Sequence, residues 1–254
     1  MKNLPVLLVI MILVTGFTFA EDLGFTAGLE FGVSEINDED RAPFITAMLE
    51  YETTFFDDSL NLYTDLEYTF EFSEDNPMEL YWDLELEYSF SFGRISNISI
   101  LLINEMFFSF GPENDMYGVV SPGIEYYHNT RLGDVYLNVF FPISYATENE
   151  VGMDFTIGWI SKSGRFGLEL LAAHTITPDF EFTDKCLVVF YKTGPVYFEI
   201  ETWFPASIED SGITITPLFE YSVNAFTFYT YCEFGGLGAD ALTVSPALGV
   251  KFSF

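Results

Sequence analysis

The sequence predicts an all-β chain whose strands close into an antiparallel up-and-down transmembrane barrel. Three observations carry this expectation. First, apolar and polar residues alternate with period two over most of the chain, as in 79–92, ELYWDLELEYSFSF. There Trp82, Leu84, Leu86, Tyr88, Phe90 and Phe92 oppose Asp83, Glu85, Glu87, Ser89 and Ser91. Only an extended strand sorts residues onto two faces in this way. Second, the connections between such segments alternate long and short. Third, the 254 residues are 49% hydrophobic and 19% aromatic, yet hold 39 acids against nine Lys and Arg, for a net charge of −30. High charge with few apolar residues would mean disorder; here both are abundant, so the fold must segregate them. A strand with lipid on one side and water on the other does so.

The chain opens on a segment with the form of a leader. Lys2 supplies a positive start, residues 4–14 an apolar core, and Thr18-Phe19-Ala20 a small-residue cleavage site. Residues 1–20 are therefore expected to be a cleaved signal peptide, and 21–254 the barrel domain. No later run reaches the roughly 18 apolar residues of a spanning helix. Strands are expected at 23–32, 42–55, 59–72, 79–92, 97–110, 117–128 and 133–145. They continue at 151–161, 165–177, 184–192, 195–204, 211–223, 225–235 and 242–254. Segment 184–192 alternates poorly, and 97–110 is apolar on both faces. The count is fourteen, with twelve as the alternative.

The short connections are 57–58, 93–96, 129–133, 162–164, 193–194 and 224; the longer ones are 33–41, 73–78, 111–116, 146–150, 178–183, 205–210 and 236–241. A barrel with short turns at one end and longer loops at the other follows, with both termini on the short-turn side. The few bases support it. Arg94, Arg131, Lys162, Arg165 and Lys192 sit at or beside short turns, and Lys251 lies on the same side.

The chain ends Lys251-Phe252-Ser253-Phe254, an alternating strand finishing on Phe. With the leader and the meander, this resembles the bacterial outer-membrane β-barrel proteins. The resemblance implies residence in the outer membrane, contact with its lipid, and recognition of Phe252 and Phe254 by the barrel assembly machinery. Closure removes the open edges that lipid cannot satisfy. Fourteen strands about 4.8 Å apart, tilted about 40°, give a diameter of roughly 28 Å, too wide for side chains alone to fill.

Assigning the apolar register to lipid turns a set of carboxylates inward: Glu30, Glu50, Glu52, Asp65, Glu67, Glu71, Asp83, Glu85, Glu87, Glu105, Glu125, Asp154, Glu169, Glu199, Glu201, Glu220 and Glu233. Hardly any base shares the register apart from Lys251. If 59–92 pairs as a hairpin centred near residue 76, Glu67 faces Glu85 and Asp65 faces Glu87, like charge against like. Carboxylates unpaired in a dry interior would be costly, so water or cations are expected beside them. The residues expected to set selectivity are Glu50, Glu52, Asp65, Glu67, Asp83, Glu85, Glu87, Glu199, Glu201 and Glu220. A carboxylate-lined wall concentrates cations, so the expected function is a pore for small cationic or neutral solutes. The alternative is a non-conducting structural or surface-interaction barrel, working through its short acidic loops. No spacing matches a calcium loop, and no cofactor or dedicated metal site is expected.

Aromatic residues near strand ends (Phe55, Phe72, Phe92, Phe110, Tyr145, Trp159, Phe204 and Phe234) are candidates for interfacial girdles. An enzyme is not expected. The two histidines, His128 and His174, lack the sequence neighbours that outer-membrane hydrolases place beside their catalytic histidine, and there is no phosphate-cradling loop. So acidic a chain offers no basic patch for nucleic acid. Cys186 and Cys232 fall on strands three apart, beyond disulfide reach.

Overall fold

A computed structural model describes residues 24–34, 42–56, 59–72, 78–93, 95–110, 115–145, 150–177, 181–206, 211–239 and 242–253. The leader, Arg94, Phe254 and most residues of the long connections lie outside the described residues.

Fifteen strand segments follow one another: β1 (Phe25–Ser34), β2 (Ala42–Phe55), β3 (Leu60–Glu71), β4 (Met78–Phe92), β5 (Ser96–Phe110), β6 (Asp115–Asn129), β7 (Gly133–Phe140), β8 (Ile143–Tyr145), β9 (Val151–Ser161), β10 (Phe166–Thr177), β11 (Glu181–Thr193), β12 (Val196–Pro205), β13 (Ile213–Val223), β14 (Phe226–Leu237) and β15 (Thr243–Ser253). β7 and β8 pair side by side with β6 and β9 and form one stave, so the barrel has fourteen. Every neighbour is antiparallel, and β1 pairs with β15 to close the sheet. The expected strand 133–145 is thus broken. Pro142 has no N–H to give the ladder. The gap is bridged by the Phe141 amide donating to the Pro122 carbonyl at 2.9 Å and the Gly152 amide donating to that of Pro142 at 2.7 Å.

Short turns form where the sequence supplies residues that accept a left-handed backbone. Thr193 pairs with Val196 around Gly194, whose φ is 55°, and Val223 pairs with Phe226 around Asn224, whose φ is 53°. Gly and Asn reach that region at least cost. The start of β1 and the end of β15 meet at this end of the barrel, where Thr26 and Ser253 hydroxyls lie 3.1 Å apart.

The two faces of the sheet differ. Tyr229 on β14 donates to the Met48 sulfur on β2 at 3.7 Å, across two intervening strands. Contacts three strands apart form on the concave side, where side chains converge. Alternation from these residues turns Glu30, Thr46, Asp65 and Asp83 inward, all 9% exposed or less. The same alternation leaves Phe90, Ile100, Ile124, Leu137, Ile157, Leu170, Phe219, Phe228 and Leu248 outward, all exposed. The expected girdle residues Phe55, Phe72, Phe92 and Phe110 are likewise exposed at strand ends. Polar groups on the outer face are satisfied locally. Trp82 Nε1 donates to Thr64 Oγ1 at 2.9 Å, and Tyr145 donates to Asn104 at 3.2 Å with its ring lying across Gly118.

Candidate functional site

The strand ladder brings four inward carboxylates into one continuous row: Glu50 opposes Asp65, Asp65 opposes Asp83, and Asp83 opposes Glu105. The β3–β4 register differs from the expected one. Glu67 faces Tyr81, Tyr63 faces Glu85 and Asn61 faces Glu87, so Glu67 does not meet Glu85 and Asp65 does not meet Glu87. The like-charge pairing falls instead on Asp65 and Asp83. A slip of four residues along the strand keeps every side chain on its face while changing each partner.

The members of the row have different surroundings. Lys251 Nζ lies 2.6 Å from Glu50 Oε1, reaching across Gly28, where its Cγ packs against the position a Cβ would take. At the other end Tyr81 donates to Glu105 at 3.0 Å. Between them, Asp65 and Asp83 are 9% and 7% exposed, and one oxygen of each, Oδ1, is buried without a hydrogen-bond partner. Nearby, Glu52 accepts from Asn61 at 3.3 Å and Glu87 from Ser89 at 2.9 Å. A recess of about 380 Å³ opens beside the row, lined in part by Glu67, Glu79, Tyr81 and Phe107.

The second group of expected site residues lies on β12 and β13. Tyr197 donates to Glu199, Trp203 Nε1 donates to Glu201, and the Cys186 thiol lies 3.9 Å from Glu201. Glu220 faces Tyr197 on one side and Tyr229 on the other. The ladder therefore does not join this group to the Asp65–Asp83 row. A similar donor serves Glu30, which accepts from Tyr231 at 2.9 Å.

Sequence reasoning missed the inward aromatic rings and the glycines beneath them. Gly158 lies under Tyr136 and Gly249 under Tyr229; a Cβ at either glycine would overlap the ring. Phe44, Phe140 and Phe190 cover Gly32, Gly123 and Gly167 in the same way. Each ring lies along the wall because the residue opposite has no side chain. The signal is a glycine facing an aromatic residue across a ladder, visible only once register is known. Lys192, too, shares the inward register at the short-turn end, opposite Tyr197, which the sequence reading did not include.

Cys186 and Cys232 are free, on β11 and β14. His174 is 9% exposed beside a bulge in β10 and meets Phe155 edge-on. His128 Nδ1 lies 2.8 Å from the Ser96 hydroxyl on the outward register, with its ring stacked on Tyr126. Among the described residues no three carboxylate, histidine or cysteine side chains converge as a metal site.

These features define a closed fourteen-stave barrel of the outer-membrane type. Among solved structures the chain is similar to the outer membrane protein Omp33 of Acinetobacter baumannii, with a TM-score of 0.55 and 8% identity over 91% of this chain and 98% of that one. It is also similar to CdiB from Acinetobacter baumannii, with a TM-score of 0.53 and 8% identity over 91% of this chain. The chain spans 60% of the length of CdiB. A mutant of the Rh. blastica porin aligns at a TM-score of 0.49 and 9% identity. At such identities the likeness to Omp33 and CdiB concerns the fold alone. No family model matches the chain, and no curated protein sequence matches it.

Proposed function

We propose that this chain is an outer-membrane pore for small solutes, with a preference for cations set by its inward carboxylates. It is exported by a signal peptide over residues 1–20 and folded by an assembly machinery that reads Phe252 and Phe254. The observation that carries the reading is the row Glu50–Asp65–Asp83–Glu105, on a face whose described bases are Lys251, already bound to Glu50, and Lys192 at the rim. Fixed negative charge on a wetted wall raises the local concentration of cations and repels anions. Glu52, Glu67, Glu85 and Glu87 extend the same face. Burying so many carboxylates without water would carry a large desolvation cost.

Refolded protein in a planar bilayer under a potassium chloride gradient tests this. The expected result is discrete conductance with a reversal potential on the potassium side. An anion-side potential overturns the assignment of selectivity. A second reading, a non-conducting structural or surface-interaction barrel, draws on the inward rings of Phe44, Phe140, Tyr136, Phe190 and Tyr229, which take up interior volume. Absence of conductance in protein that refolds fully selects that reading.

A further inference from the structure

We propose that Asp65 and Asp83 together hold one hydrated divalent cation on the inward face of the β3–β4 pair. The two residues stand directly opposite on the ladder. That pairing sets their Cβ atoms about 4.5–5.5 Å apart. Each residue is less than a tenth exposed, and Oδ1 of each has no hydrogen-bond partner. A carboxylate oxygen that leaves water without a donor is costly, and two such groups opposite each other on a ladder are costlier still. The rest of the row does not share the problem, because Lys251 neutralises Glu50 and Tyr81 donates to Glu105. Glu67 and Glu85, two residues along on the same face, add negative charge beside the pair.

The ligand chemistry follows from the donors. Two facing carboxylates, with no group of three converging as a ready-made metal site among the described residues, suit a hard cation that keeps most of its own water. A magnesium-like ion binds in this manner, through one or two carboxylates and several waters. Glu199 and Glu201 present the control: both already accept hydrogen bonds from neighbouring rings and make no comparable demand. The site rests on the reading that the inward face is wet, but it is measured without current, so its failure and that of the pore reading are separable.

The experiment uses the full refolded barrel in detergent, with Mn²⁺ as the probe and loss of the free-ion paramagnetic resonance signal as the readout. Folding of each variant is checked by heat-dependent gel mobility. Saturable binding of one Mn²⁺ per barrel, displaced by Mg²⁺ or Ca²⁺, is expected. Asp65→Asn and Asp83→Asn should each weaken it by about tenfold or more, since affinity follows the number of charged ligands. The double variant Glu199→Gln/Glu201→Gln should retain wild-type affinity. Absence of saturable binding by the wild-type protein overturns the proposal, whether or not either Asp variant refolds. So does affinity unchanged in both Asp variants, or lost equally in the Glu199/Glu201 variant.

Discussion

The β2–β5 wall and the β12–β13 wall carry the same kind of residue in the same inward register, yet they are built differently. On β12, Tyr197 and Trp203 donate to Glu199 and Glu201 two residues away along the same strand face. On β3 and β4, Asp65 and Asp83 meet across the ladder and each leaves a buried oxygen without a donor. The aspartates are shorter, and the tyrosines nearest them in the ladder, Tyr63 and Tyr81, oppose Glu85 and Glu67 instead. Charge count therefore does not measure what a wall does; the donor beside each carboxylate does. A capped glutamate holds an aromatic ring in place, whereas each of these aspartates keeps one buried oxygen without a donor.

The largest expected effect comes from removing charge wall by wall. Replacing Asp65, Asp83, Glu67 and Glu85 by their amides should lower the potassium-over-chloride permeability ratio by roughly half or more, because field strength follows the unneutralised charges. The triple change Glu199→Gln/Glu201→Gln/Glu220→Gln should move the reversal potential much less. Equal shifts would remove the distinction between the walls.

Next in size is a change beneath the rings. Tyr136 crosses Gly158 and makes a hydrogen bond with Glu169. Gly158→Val should displace the ring and cost about 1–3 kcal/mol, the range for overpacking, read from the urea midpoint of the refolded barrel. The second change Tyr136→Ala should recover part of that loss; no recovery would place the strain elsewhere.

Tyr197→Phe removes the donor to Glu199 and should cost about 1–2 kcal/mol in the same measurement, within the range for a hydrogen bond to a charged group. It should also raise cation preference, since Glu199 then loses its donor. The smallest effect is expected at Lys251. Lys251→Met breaks a partly exposed ion pair worth at most about 1 kcal/mol, and frees Glu50 to join the open row. Stability should change little while cation preference rises; a fall in preference would show that Lys251 serves the pore in another way.

Much of the barrel was legible from alternation. The expected strands 42–55 and 151–161 match β2 and β9 residue for residue, and most other ends agree within a few positions. Even 184–192, which alternates poorly, is a full stave. Pro142 is a breaker, yet the residues on both sides of it continue the apolar pattern, which hides the interruption. The Asp65–Asp83 pairing was not legible. Hairpin centring predicted Glu67 against Glu85, and the structure sets the register four residues away.

The sequence by itself determined which face each residue takes, and so that Asp65, Asp83, Glu199 and Glu201 share the interior with hardly a base. Period-two patterning specifies this firmly, since a slip of one residue would turn every apolar side chain to the wrong side. Tertiary structure alone decided who stands beside whom: Asp65 by Asp83, Glu50 by Lys251, Tyr136 over Gly158. The physical reason is that a slip by an even number of residues leaves both faces unchanged. The pattern cannot see such a slip, and only the closed ladder of hydrogen bonds removes it.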